Sequence, residues 1–208
     1  MNILTDILPT ELSVDGYKIK INYDFRTMIQ IDLLFKDNSI DMHEKWEKAF
    51  NLFYKEIPFL QIKEYQFKIL GEYLIDFYSC GKLSINNNSE KSSNNNLSDN
   101  PIFCFKFDAE YIYSAFLHDY KIDLQKENLH WWIFNSLFKN LSEENEFIKI
   151  MKYRAIKINK DMSSKEREFY KSMKKKYKIP TETNHIDMEY KNALDEALLK
   201  GESITHII

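Results

Sequence analysis

Glycine and proline are scarce, four of each in 208 residues. That is too few for the many tight turns of a sandwich or barrel, so helices are the expected framework. Cysteine is scarcer still, with Cys80 and Cys104 alone. Neither has CxxC spacing or a histidine pattern nearby, which argues against a disulfide framework or a zinc site and for two reduced thiols in a reducing compartment. Long apolar runs are missing as well: the most obvious, Trp131 to Phe134, is far short of the roughly 20 residues a membrane span needs. The opening MNILTDILPTEL lacks a basic first region and carries Asp6 within its apolar stretch. A soluble protein of the cytoplasm is expected.

Catalytic signatures are absent in the same way. There is no glycine-rich phosphate loop, no GxSxG and no HExxH, and His43, His118, His130, His185 and His206 are scattered. Asp119 and Asp123 lie close in sequence but lack the glycine and terminal glutamate of a calcium loop, and a helix end followed by a turn accounts for them. No enzymatic activity, metal or cofactor is expected.

What is present is aromatic: Phe, Tyr and Trp make up 15% of the chain, so they do much of the burying. Charge is unevenly placed. Residues 149–178 hold 12 Lys and Arg against 3 Asp and Glu, a local charge of +9 in a chain whose net charge is -3. A basic segment is therefore joined to an acidic body.

Periodicity gives the elements. In LSVDGYKIKINYD, Asp15-Gly16 suits a two-residue turn, and Tyr17, Ile19, Ile21 and Tyr23 alternate with polar residues as one face of a half-buried strand. A hairpin over 12–23 is expected, marginal alone and so laid against helices. From Phe25 the apolar period becomes helical. Met42, Trp46, Ala49, Phe50, Phe53 and Ile57 form a stripe that Asp41 caps and Pro58 ends. A further helix is expected from about Ile62 to Cys80, with Ile62, Ile69, Tyr73 and Phe77 inward and Gly81 as its stop. Asp108 is placed as an N-cap before Ile112, Ala115 and Phe116, and Ser142 near another helix start. Ser163 and Glu166 form a capping box before Phe169, Tyr170, Met173 and Tyr177, a stripe with core character.

Residues 84–100 differ in kind, since 12 of the 17 are Asn or Ser; they bury too little to offset ordering and read as a flexible loop. The expected organisation is mainly α, an irregular helical bundle with a short N-terminal β-hairpin. Residues 1–180 form a single helical domain, and 181–208 form an extension with a short amphipathic helix in MEYKNALDEALLKG.

Two features could bind a partner. NLHWWIFNSLF, residues 128–138, reads as a helix with two apolar flanks and one thin polar stripe of Asn128, Asn135, Lys139 and Ser142, because seven residues return within about 20°. Its tryptophans belong either to the core or to an interface, and His130 is placed at the edge. The lysines of REFYKSMKKKY supply charge for phosphates or for an acidic protein surface, including that of a neighbouring copy.

Several stretches in order carry a resemblance: MNILTDILP, VDG and INYDFRT, then FYSCGK, FDAEYIYSAF, YKIDL, LHWW, KIMKYR and FYKSMKKKY. Together they resemble the bacteriophage gene-product-fifteen family of long-tailed phages and prophages of Gram-positive bacteria, over most of residues 1–180. The resemblance implies a role in tail morphogenesis, because such genes typically lie between those of the tail tube and the tape measure, where tail assembly chaperones are encoded. It supplies no catalytic residues. The expected partners are the tape-measure protein and the major tail-tube protein, with self-association open. Trp131, Trp132, Phe134 and Phe138 are the expected partner-binding residues, with Lys174, Lys175 and Lys176 as a secondary electrostatic patch. A minor structural component of the tail is the alternative reading, and a nucleic-acid-binding module the third.

Overall fold

The computed structural model describes residues 2–58, 62–82 and 101–180. Among them are β1 (Glu11–Val14) and β2 (Tyr17–Lys20), followed by α1 (Phe25–Lys36), α2 (Met42–Phe53) and α3 (Glu64–Tyr78). Then come α4 (Ala109–Tyr120), α5 (Trp131–Lys139), α6 (Glu146–Ala155) and α7 (Ser164–Lys176). The fold is mainly α, with one short antiparallel hairpin, as the sparse glycine and proline require. The Asn/Ser stretch at 84–100 and the extension at 181–208 lie outside the described residues. The chain divides into two compact units: Met1–Leu97 with Ala109–Ile148, and Ser98–Asp108 with Lys149–Ile208.

In the first unit, Asp15 and Gly16 both adopt left-handed backbone, the geometry that a two-residue turn between twisted strands needs. Leu12 pairs with Ile19 and Val14 with Tyr17. Ile19 and Ile21 are buried but Tyr17 and Tyr23 are exposed, so the alternation buries only its middle. The hairpin is fastened to α3 by side chains: Tyr65 Oη and Gln66 Nε2 both donate to Asp15 Oδ2, at 2.7 and 2.8 Å, and Tyr73 Oη donates to the Glu11 carbonyl. Those two bonds hold the Asp15 carboxyl below its ordinary range.

Asp24 caps α1 by accepting from the Arg26 backbone N–H, and Asp41 caps α2 by accepting from His43 and Glu44, as its position predicts. Two expectations need correction. The second helix stops at Phe53 rather than reaching Pro58, because Tyr54 leaves the helical path to bridge Ile21, and the Phe53 carbonyl accepts from Asn22 N–H at 2.6 Å. Its buried face is Lys45, Ala49, Phe50 and Phe53, while Met42 is exposed. Lys45 is buried because its ammonium donates to the Phe35 carbonyl, one of those left without a helical partner at the end of α1.

The inward face of α3 is also turned from the expected one. Leu70, Leu74 and Phe77 are buried with Gln66, whereas Ile62 and Ile69 are exposed and Tyr73 is half-buried. A polar Gln66 hides this face from a hydrophobicity count, yet its amide is fully used between Asp15 and the Lys63 N–H.

In the second unit, Ser163 and Glu166 form the expected reciprocal capping box. The stripe on α7 is shallower than expected: Phe169 is exposed, Tyr170 and Met173 are half-buried, and the helix buries no residue fully. It meets Tyr153 of α6, whose ring lies edge-on to Phe169 and stacks on Tyr177, and Lys174 donates to the Arg154 carbonyl. Asp108 does more than precede a helix. Its carboxylate receives the Cys104 N–H and both terminal nitrogens of Arg154, at 2.6 and 2.9 Å.

Candidate functional site

The histidine and tryptophans of LHWW sit at the start of α5, and the backbone around them fixes where they go. Phe25 N–H donates to the Leu129 carbonyl and Trp131 N–H to the Tyr23 carbonyl, so α1 and α5 begin from one shared bridge. Arg26 strengthens it by donating to the carbonyls of Leu124 and Glu127. From that start the two indoles reach the end of α3. Trp131 Nε1 donates to the Tyr78 carbonyl at 2.9 Å and Trp132 Nε1 to the Phe77 carbonyl at 2.8 Å.

The last carbonyls of a helix have no intrahelical donor, and leaving one buried and unpaired costs about 1–3 kcal/mol. The adjacent tryptophans form a clamp: Trp131 supplies the N–H donor of the Tyr78 carbonyl, Trp132 adds a second donor to the Phe77 carbonyl, which also accepts from Cys80 N–H at 3.0 Å, and two large rings are buried. The chain leaves α3 through Gly81, whose φ of +71° favours glycine. A Cβ there would stand 3.2 Å from the Trp132 ring, which would have to give way by a few tenths of an ångström.

His130 is not an edge residue; it is buried and is the N-cap of α5. Its Nδ1 accepts from Trp132 N–H at 3.1 Å, which assigns the proton to Nε2, and Nε2 then donates to the Pro9 carbonyl at 3.0 Å. Burial holds this imidazole below the ordinary histidine range, against the opposing pull of the Pro9 carbonyl. It is a neutral structural group at pH 7. Phe134 lies between Phe25 and Phe116, stacked on both at 4.7 and 4.9 Å, and so joins α1 to α4 through α5. On the far side of the clamp Tyr78 Oη donates to Asp32, which also receives Lys36. Burial and that bond push the Tyr78 phenol well above its ordinary range, so it remains a donor.

Trp131, Trp132 and Phe134 are thus brought together, and all three are buried in the first unit. Phe138 is half-buried, stacked on Phe134 and in contact with Phe147. Lys174, Lys175 and Lys176 belong to the second unit; Lys174 donates to the Arg154 carbonyl, and the other two are exposed. Asp119 and Asp123 do not converge on a site. Asp119 receives Ser142 N–H and Asn145, and Asp123 receives Gln125 N–H, Tyr113 and Lys126. No group of metal ligands occurs among the described residues, and no helix among them is long and apolar enough to cross a membrane.

Exposed apolar surface lies elsewhere. In the first unit an open groove of about 720 Å³ runs between α2 and α3, with Trp46, Phe67, Gly71 and Ile75 in it and Glu64, Lys68 and Glu72 among its lining. Phe67 and Ile75 are each more than 40% exposed. Periodicity alone missed this groove because Phe67, Gly71 and Ile75 fall outside the single stripe of Ile62, Ile69, Tyr73 and Phe77 that it placed inward. The signal was present: α3 carries apolar or aromatic residues on more than one side, as EYQFKILGEYLIDFY shows.

The fold and the clamp together define a small helical protein whose most conspicuous side chains build its own interior. The chain belongs to the family described as Bacteriophage Gp15 protein, whose model matches residues 4–179, and so it is a phage morphogenesis or structural protein. No curated protein and no solved structure matches the chain. The stretches that carry the resemblance are those that interlock. In the first unit Pro9, Tyr23, Arg26, Phe77, Tyr78, Gly81, Leu124 and the LHWW residues meet at one junction. In the second, Asp108 of FDAEY and Arg154 of KIMKYR form the buried ion pair.

Proposed function

We propose that this chain is a non-catalytic tail assembly chaperone of the host cytoplasm that holds an amphipathic helical segment of the tape-measure protein. The observation that carries the reading is the open apolar groove between α2 and α3. Its floor is aromatic and aliphatic and its rim bears both signs of charge, which suits the apolar face of a helix better than a polyanion. Membership of a phage morphogenesis family supplies the class of partner. The contact surface proposed is therefore Trp46, Phe67 and Ile75 rather than the buried tryptophans.

Co-expression with the tape-measure protein of the same phage genome tests the reading. The tape measure becomes soluble with the native chain and loses most of that gain with Phe67→Asp and Ile75→Asp together. Equal insolubility with and without the native chain ends the chaperone reading. One observation favours a second reading, a component that remains in the finished tail: the largest aromatics are consumed in a fixed interior, which suits a permanent part. Abundant copies in purified particles, measured by mass spectrometry, would select it.

A further inference from the structure

The second unit carries its own open groove, of about 540 Å³, lined by Lys149, Lys152, Tyr153, Ala155, Ile156 and Tyr170. We propose that its occupant is the C-terminal segment of the same chain, residues 181–208, docked by the apolar face of MEYKNALDEALLKG. The proposal goes beyond the chaperone reading and does not depend on it.

Three observations converge on that occupant. The first is charge: residues 149–178 carry +9, whereas residues 181–208 hold six carboxylates against two lysines. The second is pattern. Tyr190, Ala193, Leu194, Ala197 and Leu198 recur at the spacing of one helix face, with Glu189, Asp195 and Glu196 off it, so an apolar stripe with acidic flanks would face an apolar groove with basic flanks. The third is position. The described residues end at Pro180, three residues after Tyr177, which is fixed by stacking on the groove residue Tyr153 and by Arg154 Nε donating to its carbonyl at 2.6 Å. Tyr190 lies ten positions beyond Pro180, and a chain of that length spans up to about 35 Å. The tether is long enough to bring the stripe back to the groove.

A tether of this kind sets an effective concentration in the millimolar range, so a contact of only about 100 μM intrinsic affinity would be occupied roughly nine-tenths of the time. Occupancy of that order slows exchange of the covered amides by about tenfold. Hydrogen exchange on the full chain tests it. Leu194→Asp with Leu198→Asp should speed exchange in 149–156 and 167–173 by about tenfold, with α1–α3 unchanged as the control for folding. Lys149→Glu with Lys152→Glu should free the amides of 188–200 to the same degree, and adding Asp195→Lys with Glu196→Lys should restore their protection. Exchange at 149–156 that ignores the leucine substitutions overturns the proposal. So does protection that rises with protein concentration, because the occupant would then be a second copy.

Discussion

The two units hold themselves together by different means. The first has a continuous aromatic interior, in which Phe134 is stacked between Phe25 and Phe116 and the tryptophan pair closes the end of α3. The second has far fewer buried side chains among its described residues, and at its centre is one ion pair, Asp108 with Arg154, which is almost entirely removed from solvent. Stability in an aromatic interior is spread over many contacts that are individually weak. In the second unit much of the structure converges on Arg154, which also donates to the Ile102 and Tyr177 carbonyls. The first unit should therefore yield by degrees, and the second should loosen as a whole when one residue is lost.

The contrast can be broken most severely at Trp131. Trp131→Ala removes a fully buried ring and leaves the Tyr78 carbonyl without its donor, an expected loss of about 4–6 kcal/mol in urea unfolding. Trp131→Phe keeps most of the ring and should lose about 1–3 kcal/mol, chiefly the hydrogen bond. Next comes Arg154→Leu, which strands a buried carboxylate and should cost about 3 kcal/mol, the low end because Asp108 still receives Cys104 N–H. Its signature is location: hydrogen exchange should rise through α6 and α7 and not in α1–α3. Adding Asp108→Asn should recover part of the loss, since the stranded charge is the main penalty.

Gly81→Ala follows, at about 1–2 kcal/mol, because an alanine must hold a left-handed backbone while its methyl meets the Trp132 ring. The smallest effect concerns pH. The folded His130 titrates below its unfolded value near 6.5, so between the two values the unfolded chain binds more protons. Its contribution is complete above about pH 6.5 and is lost as pH falls below that value. The melting temperature should decline from pH 7 to pH 5, and His130→Asn, which keeps a capping side chain but not the titration, should flatten that decline.

Much of this was legible in the sequence, and the failures share a cause. Local signals worked: the Asp15-Gly16 turn, the caps at Asp41 and Ser163, and the inward set Ile112, Ala115 and Phe116 all depend on residues within one turn of each other. Facing went wrong wherever a polar side chain was buried with a distant partner. Gln66 shifted the face of α3, Lys45 that of α2, and His130 was placed at an edge although Pro9, far away in sequence, holds it. A single sequence does not display such partners, because hydrophobicity counts score them as exposed. The same limit kept the tryptophans of NLHWWIFNSLF ambiguous until the carbonyls of Phe77 and Tyr78 supplied their destination.

The central claim is that the tryptophan helix serves the interior while the α2–α3 groove serves the partner. Hydrogen exchange of the full chain with and without bound tape-measure protein tests it most directly. Slowed exchange across 45–53 and 64–76, with Trp131–Lys139 unchanged, is the expected footprint. Slowed exchange confined to Trp131–Lys139 would contradict it.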